Sequence, residues 1–372
     1  MTTTSTDDDA RGAVTARGVP VDARATADGR STADGEATAD GRTTADGGAT
    51  ALQPPQDPES DTRGATLSRL ERYIVSTSPF TPVLGATRAL IALATMLTLI
   101  FTPTNQLFFR SDAIPSGVNC GGTLGQFSLF CLGSDAGLLE LSRWVAVLVL
   151  VLVVIGIAPA ITAVPHWYVT WSVMTSSTAV DGGEHLSASL TLILIPFVLV
   201  DRRRWHWSMD RGYAQRNVWV KCVAYCAIGL FIAQVMGVYF QASIAKFGVL
   251  EWSDGTALWY WMQNPTFSPP DPFGSAIQAV LQFLPVTVAV TYGTLLLQLS
   301  LVPAAFYSRP VRQTILILAV LFHLAVAATM GLWSFSLIMI AADLLLLIRP
   351  HESTQLTATI HWKTRPLRKD VA

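Results

Sequence analysis

The sequence predicts an all-α fold, a polytopic transmembrane helix bundle of about eight membrane helices, one of them short, preceded by a disordered tail. Three observations carry that expectation. Of 372 residues 51% are hydrophobic and 14% charged, with a mean hydropathy of +0.42, whereas an ordinary soluble domain is roughly 25% charged. Apolar windows of about 20 residues, long enough to cross the hydrocarbon core of a bilayer, recur along the chain. Residues 1–65 differ in kind, with 12 Asp/Glu, 6 Arg and no aromatic side chain, a net charge of −6 that leaves +5 for the rest. This composition excludes a soluble globular enzyme. Four cysteines in so long a chain exclude a secreted disulfide scaffold, and no basic stripe signals a nucleic-acid partner.

Residues 25–48 repeat a hexad four times, ATADGR, STADGE, ATADGR, TTADGG. A β-helix would need an apolar residue in every coil, and only Ala is available, so disorder is the reading for 1–65. No charged n-region with an apolar h-region begins at Met1, which leaves insertion to an internal helix. The membrane domain is expected over 66–350, with a short basic tail at 351–372.

Within that domain, spans are expected near 82–102, 138–160, 185–201, 217–246, 274–303, 311–331 and 332–348. The aromatic stretch PHWYVTWSVMTS at 165–176 is settled by charge. Arg69, Arg72 and Arg88 put the start of the first span in the cytoplasm, as does the closing KTRPLRK for the C-terminus. Only if 165–176 also crosses do Arg202, Arg203, Arg204 and Lys221 fall on that side. The expectation is therefore a multi-pass cell-membrane protein, in contact with membrane lipid, with both termini cytoplasmic. Loops 103–137, 177–184 and 247–273 then lie outside. Cys120 and Cys131 share the first of them, in an oxidising compartment, so a disulfide is expected there. No metal site is signalled. Cys222 and Cys226, spaced i, i+4, read as small buried hydrophobes.

Ionisable groups inside a membrane ask for a reason. Arg88 is close enough to the inner surface to snorkel. Asp343 lies within two turns of Arg349, which reads as a helix-end polar contact. His323, mid-span, either bonds a neighbouring helix or serves function. His185 stands at the outer start of its span. Tyr239, Ser243 and Lys246 follow i, i+4, i+7 and share one helix face. Lys246 either snorkels as an anchor or, desolvated, works as a base. With His185 on the same side of the membrane, it makes a candidate catalytic pair, and Tyr239, Ser243, Trp252 and His323 are candidates for the surrounding substrate or cofactor pocket. Trp252, Trp259, Tyr260 and Trp261 suit either an interfacial belt or the roof of a pocket for a flat apolar molecule. No nucleotide-binding, zinc-protease or nucleophile-elbow motif occurs.

Three segments in order, LTLILIPFVLVDRRRWHW at 190–207, YFQASIAKFGVLEWSDGTALWYWMQNPTF at 239–267 and HLAVAATMGLWSFSLIMIAADLLLL at 323–347, resemble the sporulation-delaying protein B (SdpB) family. That family lies within the group carrying the horizontally transferred transmembrane (HTTM) domain, with vitamin K-dependent γ-carboxylase as a distant member. The resemblance covers roughly 70–350. It implies a part in producing or exporting a secreted antimicrobial (SdpC-like) peptide toxin, alongside a small SdpA-like partner protein. The carboxylase likeness implies chemistry in which a lysine deprotonates a reduced quinone and a histidine assists. Lys246 in ASIAKFGVLEW and His185 occupy those places. The preceding residue is Ala245 where the carboxylase has a second lysine, and only residues 349–372 follow the last span, with no room for the carboxylase's large lumenal domain. Two functions remain: a peptide-modifying membrane enzyme, with a reduced quinone as the implied cofactor, or a non-catalytic scaffold or export chaperone.

Overall fold

The computed structural model describes residues 68–352, apart from 111–113, 115–116, 134–135, 179–181 and 211 and the side chains of 123 and 136. The expected disordered tail at 1–65 and nearly all of the basic tail at 351–372 lie outside the described residues. Helices follow one another as α1 (68–76), α2 (Pro82–Phe101), α3 (Thr104–Leu107), α4 (Gly122–Gly125) and α5 (Ala136–Ile155). Next come α6 (Pro159–Ser176), α7 (Gly182–Leu199), α8 (Val218–Phe247), α9 (Leu250–Ser253) and α10 (Ala257–Gln263). The last are α11 (Phe273–Leu281), α12 (Leu284–Leu301), α13 (Arg309–Met330) and α14 (Trp333–Leu347). Among the described residues the only β pairing is an isolated bridge between Ile157 and Trp205.

Six of these helices, α2, α5, α7, α8, α12 and α13, are long and apolar enough to cross a membrane, and α14 is a shorter apolar helix. Segment α6 begins six residues before the expected 165–176 and is 18 residues long, less apolar because Thr162, His166 and Thr170 are built into it. All three are buried against the neighbouring helices, α7 foremost and then α5. The 30 residues of α8 extend about 45 Å at 1.5 Å per residue, more than a bilayer core of about 30 Å.

The bundle is organised around α2, which packs on α14 and on α5. Leu84 and Ile91, seven residues apart, enter one core with Leu190, Phe197, Phe231 and Ala341. Ala92 and Leu99 enter a second core with Leu150, Val153 and Val169. Buried Ala341 and Ala342 let the α14 backbone approach closely, and the Thr87 hydroxyl donates to the Ala341 carbonyl at 3.2 Å. Large apolar side chains such as Leu148, Phe240, Leu296 and Leu321 remain exposed on outward faces, which is how a helix surface meets lipid.

Buried arginines tie the ends. Where Pro103 stops α2, the Arg143 guanidinium donates to the carbonyls of Leu99 (2.5 Å), Ile100 and Thr102 (both 3.1 Å), filling acceptors that a helix end leaves open. Arg312 likewise joins the Leu347 carbonyl (3.0 Å), the Tyr307 carbonyl (2.7 Å) and the Glu352 carboxylate. Burial pushes the Glu352 carboxyl up, but the hydrogen bonds from Arg312 and the Arg349 backbone outweigh it and hold it below its ordinary value. Four readings are corrected here. The span expected as 274–303 is broken into α11 and α12, because Pro285 has no N–H and its ring opposes the Leu281 carbonyl; the Thr287 hydroxyl caps that carbonyl instead, at 2.5 Å. Arg88 does not snorkel, being 2% exposed on a helix that is central in the bundle. Cys222 and Cys226 are exposed on α8. Asp343 meets Tyr239 and His323, not Arg349.

Candidate functional site

The Tyr239–Ser243–Lys246 face of α8 runs toward the end of the bundle where α9 and α10 fold. At its deep end three helices converge. The Tyr239 hydroxyl donates to Asp343 Oδ1 of α14 at 2.8 Å and lies 3.1 Å from His323 Nε2 of α13. His323 Nε2 is also 3.5 Å from Asp343 Oδ2. All three side chains are at most 2% exposed, and Phe322 and Phe335 flank the imidazole with ring centroids 5.0 and 6.2 Å away. The three groups thus form a connected chain of imidazole, phenol and carboxyl, of the kind that passes protons inside membranes.

One turn along, the buried Ser243 hydroxyl is spent on the Tyr239 carbonyl at 2.8 Å. Lys246 follows, about 10 Å up the axis from Tyr239 at 1.5 Å per residue. Its Nζ donates to the Ala242 carbonyl at 3.2 Å and to Gln298 Oε1 of α12 at 3.1 Å, and sits 5.3 Å from the centroid of the Trp252 ring. Among the described residues no carboxylate pairs with it. The ammonium is half-buried between two neutral acceptors and an indole face.

Trp252 also forms one wall of a groove of about 300 Å³, lined by Val249, Glu251, Ala257, Tyr260 and Trp261. The aromatic cluster after Lys246 therefore lines an open groove. Tyr292 of α12 fixes this region by donating to the Ser253 carbonyl at 2.7 Å, and Gln278 of α11 donates to the Met262 carbonyl at 2.9 Å.

His185 is exposed in the first turn of α7, and no hydrogen bond or ion pair joins it to Lys246 among the described residues. The inward-facing residue of that turn is its neighbour Glu184, 4% exposed, which accepts from Ser334 Oγ of α14 at 3.2 Å. Sequence reasoning missed Glu184, and it singled out Asp343 but gave it the wrong partner. The signal for both was present, a carboxylate flanked by small or apolar residues in DGGEHLSASL and MIAADLLLL.

A disulfide joins Cys120 and Cys131 in the connection between α2 and α5. At the other end of the bundle His206 is fully buried. Burial, helped by the positive charges of Arg88 and Arg203, pushes its imidazole down to about 3.

The HTTM domain matches residues 142–350, which takes in Lys246, its groove and the Tyr239–His323–Asp343 cluster. The uncharacterized protein YitO of Bacillus subtilis (strain 168) is 39% identical over 278 residues, 74% of this chain and 88% of that protein. The sporulation-delaying protein SdpB of the same organism is 29% identical over 299 residues, 80% of this chain and 89% of that protein. The chain belongs to the SdpB-like HTTM family. No solved structure matches it. The HTTM match begins within α5 and leaves α2 outside, although α2 is the helix around which the domain packs.

Proposed function

We propose that this protein is the membrane component that matures an exported peptide of the sporulation-delaying toxin type, through a lysine-centred site on the outer side of the cell membrane. The observation that carries the reading is the Lys246 ammonium, which pairs with no carboxylate among the described residues and lies on the same α8 face as the buried Tyr239–His323–Asp343 chain, beside an aromatic groove. The Cys120–Cys131 bridge supports the outside assignment of its loop, since disulfides persist in oxidising compartments. With that loop outside, both termini are cytoplasmic and Lys246 lies near the outer surface.

In this reading Lys246 accepts a proton at Nζ once it is neutral, Trp252 and Tyr260 hold a flat apolar group, and His323, Tyr239 and Asp343 move or store a proton beneath. The groove's volume and aromatic walls fit the ring of a reduced quinone, which would supply reducing electrons when bound. His185, separate from Lys246, is assigned to the peptide-facing rim. The exported peptide and a small SdpA-like protein are the partners. A second reading, a non-catalytic scaffold or export chaperone, draws on the Ala242 and Gln298 contacts, which suit an anchoring lysine as well. The two are distinguished by the mass of the exported peptide made with and without this protein. A covalent difference is expected; an unchanged mass favours the scaffold.

A further inference from the structure

At the end of the bundle away from Lys246, next to the 200–217 connection, a second polar group is buried that the proposed chemistry does not use. Arg88 is 2% exposed. Its Nη2 donates to the Thr162 hydroxyl at 3.2 Å, whereas Nη1 is buried with no hydrogen-bond partner. Asp201, the acid whose charge acts on Arg88, is already engaged by Arg203, whose Nε lies 3.0 and 3.1 Å from its two oxygens and whose Nη2 lies at 2.8 Å. That carboxylate is paired with Arg203, and among the described residues no carboxylate hydrogen-bonds Arg88.

Arg88 lines a cavity of about 10 Å³. His166, 2% exposed, lines it too, and its Nε2 is likewise buried without a partner. Thr191 completes the polar wall, but its hydroxyl is occupied by the Ser187 carbonyl (2.7 Å) and Thr170 (2.9 Å). Ala163, Leu194 and Val198 close the rest. His206, fully buried against Gly85, is the remaining titratable neighbour and brings no negative charge. A space of this size admits a single water-sized particle. Water would satisfy the donors and leave the charge uncompensated, and an uncompensated buried charge is strongly unfavourable.

We propose that this cavity binds one small monovalent anion, of chloride size, between Arg88 Nη1 and His166 Nε2–H. The site is independent of the Lys246 chemistry. Its effect would be to neutralise the α2–α6–α7 contact and so to couple bundle stability to halide concentration.

The test uses the purified full-length chain in neutral detergent. Thermal unfolding is followed by tryptophan fluorescence as chloride replaces gluconate at constant ionic strength, with the chloride NMR linewidth as a direct binding signal. Chloride and bromide should each raise Tm by several degrees, saturably, and bromide should compete away the excess chloride linewidth. Arg88→Gln should abolish both effects, and Thr162→Val, which keeps the guanidinium, should retain them. Should Arg88→Gln give no folded protein, His166→Phe fills the same space without the donor and should shift the chloride midpoint about tenfold. Equal Tm in chloride and gluconate with no excess linewidth would mean that the cavity holds water only. A halide effect surviving both Arg88→Gln and His166→Phe would put the anion elsewhere, and either outcome overturns the proposal.

Discussion

Tyr239 makes two hydrogen bonds with groups that have no solvent to turn to, so the hydroxyl is worth more than its own bonds. Removing it leaves a buried carboxylate and a buried imidazole under-satisfied, which costs about 1–3 kcal/mol for a group stranded in this way. Tyr239→Phe should therefore lower stability by about that amount in a denaturant or thermal titration and reduce peptide maturation. Wild-type stability in this variant would show that the cluster is not a connected unit. His206 gives a pH test. Its folded value near 3 lies below the ordinary value of about 6.5, so between those values the unfolded chain binds a proton that the folded chain does not. Stability from the neutral imidazole is complete above about 6.5 and is lost as pH falls from there toward about 3. Neither ring nitrogen has a partner, so His206→Phe should fold normally at neutral pH and show a flatter stability profile between pH 6.5 and 3, measured by thermal melts across that range. An unchanged slope would contradict the assignment.

At the scale of elements, hydropathy made the spans legible, because a helix in lipid must be apolar over its whole length whatever it packs against. The same fact hid which face is buried. Cys222 and Cys226 read as core and face outward, whereas Arg88 read as snorkelling and Asp343 as a helix-end contact and both point inward, because in lipid it is polar groups that the bundle interior takes up. The break at Pro285 could have been read from the proline; the apolar run on both sides masked it. The pairing of Tyr239 with His323 and Asp343 was not legible, since it depends on which helices meet. The α8 face that carries Tyr239 was, from the i, i+4, i+7 spacing alone. One connection can be tested directly. The Cys120–Cys131 bridge closes a short ring between α2 and α5, so unreduced protein should migrate faster on a denaturing gel than reduced protein, and Cys120→Ser or Cys131→Ser should erase the difference. Full alkylation of both thiols in fresh, unreduced membranes would contradict it.

For the whole molecule, orientation decides whether the lysine site faces the exported peptide or the cytoplasm. In a Cys222→Ser, Cys226→Ser background, single cysteines at the exposed positions Arg204 and Ser308 should be labelled only after permeabilisation, and one at exposed Ser253 should be labelled in intact cells. Arg203 is unsuited to this purpose, being 8% exposed and paired with Asp201. Outside labelling at Arg204 would mean that α6 does not cross and would carry Lys246 to the cytoplasmic side. The most direct measurement of the central claim is the mass and yield of the exported peptide made with Lys246→Arg. Arginine keeps the positive charge and the reach of an anchor but does not deprotonate in a protein. The lysine-base account predicts normal levels of folded membrane protein with mature peptide lost; mature peptide of unchanged mass and yield would contradict it.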